Sequence, residues 1–160
     1  MWSNDRVNRV EIVHDNFLRR VAVGDLPTRT GTATLEDAQL TADELVALFE
    51  AQVLSRHLDR AARDMQARGF GFYTIGSSGH EGMAAVAGAL RPTDMAFVHY
   101  RDAAFQIARS GQIGIDPMRD MLLSFTTSID DPISGGRHKV LGSASLAMPP
   151  QTSTIASHLP

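Results

Sequence analysis

Hydrophobic residues recur at helical spacing through the segment that begins at Thr41. The tetrapeptide 41-TADE-44 has the residues of a capping box, with Thr41 as the cap and Glu44 reaching back to its backbone. The pattern predicts one long helix that ends at Arg68, because Gly69 follows. The positions on its predicted buried face are Leu45, Leu48, Phe49, Gln52, Val53, Leu58, Ala61, Ala62 and Met65.

Three shorter elements are predicted after this helix. The alanine- and glycine-rich run 83-MAAVAGAL-90 predicts a helix whose small side chains allow close backbone approach. Residues 95–98 form an apolar run that predicts a short buried strand. A second helix is predicted to begin at Ala103 and to be broken by Gly111 and Gly114.

The remaining parts of the chain are less regular. Residues 1–40 are polar and weakly periodic, so we expect an arm that lies on another surface. Asp116 is the predicted cap of a further helix, with Pro117 at its first position. Residues 126–153 have the composition of a long loop, and residues 154–160 look like the start of another helix. We therefore expect the chain to be a fragment of a longer protein.

The bulk composition narrows the function classes. The chain has 160 residues, of which 43% are hydrophobic and 21% charged, as in a globular domain. Its formal net charge of −3 gives no general attraction to nucleic acid or to an anionic membrane. No apolar run approaches the roughly 18 residues of a membrane span. The absence of cysteine excludes disulfide and thiolate chemistry and fits a reducing compartment, so we expect a cytoplasmic protein.

Two motifs indicate recognition of an anion. Tyr100 and Arg101 lie where the predicted strand passes into a helix, and a helix N-terminus at such a junction favours a phosphate. The turn 76-GSSGHEG-82 has glycines that can expose backbone N–H groups to a phosphate, although an ordinary structural turn has the same composition. It matches neither the G-x-S-x-G motif nor a Walker loop.

Histidines and one arginine are the other candidate chemical groups. No two histidines have the i, i+4 spacing of a helical metal pair, so a transition-metal site is not expected. Arg137, in 134-SGGRHK-139, could close over an anionic substrate or simply be a solvated loop residue. Any of the histidines in or beside the loops is a candidate general acid or base, and for each of them a structural role is the alternative. These histidines are His80, His99, His138 and His158.

Four motifs occur together in the order of a known family. They are Gly-His-Glu-Gly at 79–82, D-x-x-F-x-x-Y-R-D at 94–102, Gly-Gly-Arg at 135–137 and STIASHLP at 153–160. This order resembles the α subunit of the thiamine-diphosphate-dependent first component of 2-oxo acid dehydrogenase complexes. The run 100-YRDAA-104 is closer to the branched-chain type than to the pyruvate type.

The resemblance implies a fold and a set of cofactor-binding residues. The expected fold is α/β, a three-layer thiamine-diphosphate-binding domain whose N-terminal portion, residues 41–160, is mostly helical. Tyr100 and Arg101 would hold the diphosphate of the cofactor, through one hydroxyl donor and a planar fork of N–H donors. Ser153 and Ile155 match the family positions that approach the thiazolium and aminopyrimidine rings.

The resemblance also implies residues that contact the substrate, and further functional residues of the family that are not among these 160. Tyr73 falls where the family has an aromatic residue beside the substrate pocket, and Arg137 lies in the family's active-site loop. That loop reads 136-GRHKVLGS-143 here, so the family's loop histidine is displaced and His138 is only a nearby candidate. The Mg²⁺ ligands of the family follow later in the sequence, and the glutamate that activates the cofactor comes from the β part.

The implied function is a 2-oxo acid dehydrogenase that decarboxylates its substrate and passes the acyl group to a lipoyl group. Its implied partners are a β subunit, or a β-like domain in a fused chain, and a lipoyl-bearing acyltransferase, in a homo- or hetero-oligomer. The fragment alone would be inactive. A different class of function stays open, because residues 1–40 and the helix at 83–90 could serve only to pack against a partner subunit.

Overall fold

The computed structural model describes residues 9–28, 30–72, 76–137 and 140–151. Within these ranges the chain is mostly helical and has one small sheet, which is compatible with part of an α/β protein. The elements are α1 (Arg9–Ala22), α2 (Leu35–Ala38), α3 (Ala42–Ala67), α4 (Met83–Ala89), α5 (Ala103–Gln112), α6 (Pro117–Phe125), β1 (Leu141–Ser143) and β2 (Met148–Gln151). None of the helices in these ranges is long and apolar enough to cross a membrane.

The chain divides into two compact units, Met1–Ala38 and Gln39–Pro160. The first unit contains α1 and α2, so the predicted arm includes a regular helix of 14 residues. The helix is amphipathic, with Phe17 and Val21 one turn apart on its apolar face, and charges at its ends add to its stability. Glu11 lies in its first turn, and Arg19 and Arg20 lie in its last turn, which is the arrangement that the helix dipole favours.

Helix α3 begins as the sequence predicts. The Thr41 hydroxyl accepts a hydrogen bond from the Glu44 backbone N–H at 3.2 Å, and the Glu44 carboxylate accepts one from the Thr41 N–H at 2.8 Å. These two bonds satisfy N–H groups that a helix start would otherwise leave unpaired. The backbone bond from Thr41, followed by its hydroxyl bond, lowers the pKa of Glu44. The predicted capping box is confirmed.

The buried face of α3 differs from the predicted one. Its buried residues are Ala51, Ser55, Leu58 and Ala62, which are mostly small. Of the predicted residues, Leu58 and Ala62 are buried, as expected. Four others are exposed, and they are Leu45, Phe49, Val53 and Ala61. Helix α4 packs closely on α3, since a Cβ added at Gly88 of α4 would lie 3.2 Å from Leu48. Around them the core contains Ala84, Ala103, Ala104, Ile107, Met121, Phe125 and Leu141.

The prediction that residues 95–98 form a strand of a sheet is wrong. The segment is not part of a sheet in the described structure, and the Ala96 N–H donates to the Ala147 carbonyl of the hairpin turn at 3.0 Å. Ala96 and Val98 are buried, whereas Met95 and Phe97 between them are exposed. This alternation is that of an extended chain with one face on the core. The segment is therefore extended, as predicted, but only one of its two faces is buried.

The loop predicted at residues 126–153 contains a β-hairpin. Strands β1 and β2 are antiparallel, with Leu141 opposite Gln151 and Ser143 opposite Met148. Ala147 has a φ of +51° in the connecting turn. Proline is depleted in strands because it donates no backbone hydrogen bond to the sheet. For this reason the sequence pattern around Pro149 and Pro150 does not predict β2. The helix predicted after Asp116 is confirmed, and the Asp116 carboxylate accepts from the Met118 N–H at 2.8 Å.

Arg109 of α5 is fully buried and joins three segments. Its Nη1 donates to the backbone carbonyls of Asp94 at 2.8 Å and Leu146 at 3.0 Å. The guanidinium lies over the Phe105 ring, 4.5 Å from its centroid. Burial lowers the pKa of Arg109, while the Asp94 carboxylate opposes this effect. One cation therefore holds the extended segment and the hairpin turn against α5.

A substitution at Gly136, in the Gly-Gly-Arg motif, tests how tightly the turn at residues 126–137 is packed. Its φ is +78°, and a Cβ there would lie 2.7 Å from the Thr127 carbonyl oxygen. We predict that Gly136→Ala lowers the free energy of unfolding by about 3 kcal/mol, because backbone strain and a backbone clash add. Gly114→Ala is the matched control, with a φ of +68° and nothing within 4 Å. It should cost only about 1 kcal/mol. Urea unfolding measures both, and equal losses would contradict the packing argument.

Candidate functional site

The glycine- and serine-rich turn at residues 76–82 is fastened to α3 at its start. The backbone N–H and the hydroxyl of Ser77 both donate to Asp59 Oδ2, at 2.8 and 2.9 Å. Arg56 Nη1 donates to the same oxygen at 2.8 Å. A Cβ at Gly76 would lie 2.6 Å from this carboxylate, so glycine is needed for the close approach.

The other end of the turn is held by Glu81. Its Oε2 accepts from the Gly79 N–H at 2.8 Å, and its Oε1 lies 3.3 Å from Arg56 Nε. Gly79 has a φ of +84°, a conformation that other residues rarely adopt. Arg56 thus pairs with the carboxylates of both Asp59 and Glu81, and the turn is a fixed structure rather than a free loop.

Arg101 closes the turn from the opposite side. Its Nε donates to the Gly76 carbonyl at 2.8 Å, and its Nη2 donates to the Ser78 carbonyl. Among the described residues, no carboxylate forms an ion pair with this guanidinium. Arg101 is partly buried, so its charge is held in place by neutral carbonyls and is not neutralised by a described counter-ion.

A buried carboxylate lies directly after Arg101. Asp102 is 3% exposed and precedes α5, yet its side chain does not cap that helix. Its Oδ1 lies 2.7 Å from His80 Nδ1, and its Oδ2 accepts from the His99 backbone N–H at 2.6 Å. The carboxylate therefore connects the turn at residues 76–82 to the end of the extended segment.

His99 is stacked between two rings. Its centroid lies 4.8 Å from that of His80 and 4.0 Å from that of Tyr100. Its Nδ1 accepts a hydrogen bond from the Arg101 backbone N–H at 3.2 Å, which requires a neutral ring with its proton on Nε2. Burial, and then the neighbouring His80, lower the pKa of His99; Asp102 opposes this shift and Arg101 adds to it.

His80, His99 and Asp102 also have the donor types of a metal site, with ligand atoms within 4.8 Å of one another. The hydrogen bonds do not suit that role. Each nitrogen that ligates a metal needs a free lone pair, and His99 already uses the lone pair of Nδ1 for the Arg101 N–H. The three residues are better described as a hydrogen-bonded cluster.

The structure describes five of the candidate residues from the sequence. Tyr100 and Arg101 lie in this cluster region together with the candidate acid–base residues His80 and His99. Arg137 is exposed, with Nη1 3.2 Å from the Ser134 carbonyl of its own turn. The other candidates lie outside the described ranges. They are Tyr73, His138, Ser153, Ile155 and His158.

Sequence reasoning did not identify Asp102, Asp59 or Arg56. His80 and Asp102 are 22 residues apart, and no spacing rule relates them. The available signal for Asp102 was its position directly before a helix, whereas Arg56 and Asp59 lie in the middle of α3 and have no such signal. Comparison with protein-family models, curated proteins and solved structures found no match to this chain.

The shifted pKa of His99 predicts a pH dependence of stability. A pKa below the ordinary value of 6.5 favours the neutral ring in the folded state. The unfolded chain then binds more protons, so this contribution to stability is present above pH 6.5 and is lost as the pH falls through the folded pKa. We predict that the free energy of unfolding in urea falls between pH 7.5 and pH 5.5, and that His99→Gln reduces this fall.

The control for this prediction is His57→Gln. His57 is an exposed residue of α3 outside this cluster, so its replacement tests whether the loss of any histidine has the same effect. An equal dependence in the wild type and in His99→Gln would contradict the assignment.

Proposed function

We propose that the chain is part of a thiamine-diphosphate-dependent 2-oxo acid dehydrogenase of the branched-chain type. What supports this proposal is the meeting of two motifs on which the resemblance depends. The Gly-His-Glu-Gly motif at residues 79–82 and the Tyr-Arg-Asp run at 100–102 are joined by the His80–Asp102 contact. Arg101 also bonds the carbonyls of Gly76 and Ser78, just before that motif. In this proposal the helices of the second unit belong to a three-layer α/β cofactor-binding fold.

The observation that carries the proposal is the state of Arg101. Its guanidinium is fixed by the carbonyls of Gly76 and Ser78, with no ion-paired carboxylate among the described residues. Two of its five N–H donors make these bonds, which leaves donors for an anion. A fixed guanidinium beside the start of α5 favours a diphosphate, because its remaining N–H donors can bond phosphate oxygens. The donor set therefore fits the diphosphate group of the cofactor.

The bound cofactor would supply the carbanion chemistry that decarboxylates a 2-oxo acid. The chain's own residues would grip its diphosphate through Arg101 and Tyr100, while Arg137 would meet the anionic substrate. Mg²⁺, the β subunit or β-like domain and the lipoyl-bearing acyltransferase belong to the same proposal. The lack of cysteine suits a cytoplasmic setting for it.

A second candidate function is a non-catalytic module that packs against a partner subunit. The observation in its favour is the exposed apolar face of α3, where Leu45, Val46 and Phe49 are 46%, 53% and 60% exposed. Phe70 and Phe72 are also exposed beyond the end of this helix. Large apolar patches commonly mark interaction surfaces.

Cofactor titration tests the first proposal. We predict that thiamine diphosphate with Mg²⁺ binds the assembled protein in calorimetry, and that Arg101→Ala raises the dissociation constant roughly ten- to hundredfold. This corresponds to a loss of about 1.5–3 kcal/mol for a charge-assisted contact. Arg101→Lys should recover part of the affinity, because an ammonium lacks the fork. Tyr100→Phe should cost about 1 kcal/mol.

The matched control separates cofactor binding from turn structure. Ser77→Ala removes a hydroxyl bond to Asp59 and loosens the same turn without changing the guanidinium. If Ser77→Ala weakens binding as much as Arg101→Ala does, Arg101 acts through the turn. An unchanged affinity in Arg101→Ala would remove the site assignment. No binding heat in the wild type at near-millimolar cofactor would favour the interaction module.

A further inference from the structure

The hydrogen bonds around Asp102 determine which nitrogen of His80 carries the proton. An ionised carboxylate only accepts hydrogen bonds, and Oδ1 of Asp102 lies 2.7 Å from His80 Nδ1. Nδ1 must therefore be the protonated nitrogen when the ring is neutral. The lone pair is then on Nε2, and no described residue hydrogen-bonds to that nitrogen.

Both members of this pair are held rigidly. Asp102 cannot rotate without losing its 2.6 Å bond to the His99 N–H, and the residue is 3% exposed. His80 lies in the turn that is fastened through Ser77 at one end and Glu81 at the other. The His80 side chain is 29% exposed, so the ring reaches solvent while its Nδ1 faces the buried carboxylate.

We propose that His80 is an acid–base catalytic residue, with Asp102 as its positioning residue. Nε2 exchanges a proton with the hydroxyl that a 2-oxo acid substrate carries once its keto group has been attacked. This inference rests on the proposed function, and it assigns a proton acceptor where the loop histidine of the resembled family is displaced. Arg101, which bonds the same turn, would hold an anionic ligand near this ring.

The proton transfer needs no reactant beyond the substrate, the cofactor and His80. As the carbonyl re-forms, the O–H bond of the substrate breaks and its electron pair becomes the second C–O bond. The bound cofactor would take up the electron pair of the bond that breaks at that carbon, which is the carbanion chemistry it supplies. The proton moves to Nε2, and the resulting imidazolium is stabilised by Asp102. It later returns the proton to solvent or to the next substrate.

A single substitution distinguishes this arrangement from ordinary packing. Asn at position 102 has one acceptor and one donor group, whereas the His99 N–H can only donate. The Asn carbonyl must therefore face His99, which turns its NH₂ group toward His80 Nδ1. The imidazole can adapt only by moving its proton to Nε2. Asp102→Asn should thus remove the lone pair at Nε2 while changing little in volume.

Nitrogen-15 NMR of the full chain at pH 8 reads this tautomer directly. We expect neutral His80 to carry its proton on Nδ1 in the wild type and on Nε2 in Asp102→Asn, with His80→Gln identifying the signals. His99 should have its proton on Nε2 in both proteins and serves as the internal control. A wild-type His80 protonated on Nε2 would overturn the inference.

Kinetics of the assembled enzyme test the catalytic role. His80→Gln should lower kcat roughly 100-fold, in the range typical of a lost general base, while the dissociation constant for thiamine diphosphate stays the same. Asp102→Asn should lower kcat similarly, and added imidazole should restore part of the activity of His80→Ala. If His80→Gln keeps wild-type activity with the cofactor still bound, the catalytic role of His80 is wrong while the proposed function stands. Absence of cofactor binding in the wild type would overturn the proposed function, and the catalytic role with it.

Discussion

A carboxylate that leaves water must find donors for both of its oxygens, or folding carries a large desolvation cost. Asp102 meets this constraint with one donor from the turn at residues 76–82 and one from the extended segment before α5. Two pieces of chain that are distant in sequence are therefore fixed at one point. The stacking of His99 and the approach of Arg101 to the turn carbonyls both depend on that point.

At the other end of α5 the buried charge is positive, and there the same constraint is met only in part. Arg109 donates to two carbonyls and lies on the Phe105 ring. Its Nε and Nη2 and the Gln106 Oε1 are buried and have no hydrogen-bond partner among the described residues. Unsatisfied polar groups of this kind cost stability. Helix α5 thus carries a satisfied buried anion at its start and an incompletely satisfied buried cation in its last turn, and the candidate site lies at the satisfied end.

Local signals predicted the local structure well. The capping box of α3 and the Asp116–Pro117 start of α6 depend on residues within one turn of each other, so the sequence displays them directly. The hairpin was missed because β2 contains two prolines, and the buried face of α3 was misplaced in part because small residues pack there. The contact between His80 and Asp102 depends on how α3, the turn and α5 are arranged, which no local pattern encodes. Tyr100 and Arg101 were found because they lie at a recognisable junction.

Arg56 is shared between Asp59 at the start of the glycine-rich turn and Glu81 at its end. Neither carboxylate has this cation to itself, and when one of them is removed the guanidinium is free to move wholly toward the other. The two anchors of the turn are for this reason energetically coupled. The effect of losing both anchors should differ from the sum of the separate losses, which is the behaviour of residues in one charge network. A chain evolving at this turn would therefore tolerate a change at one anchor only in the context of the other.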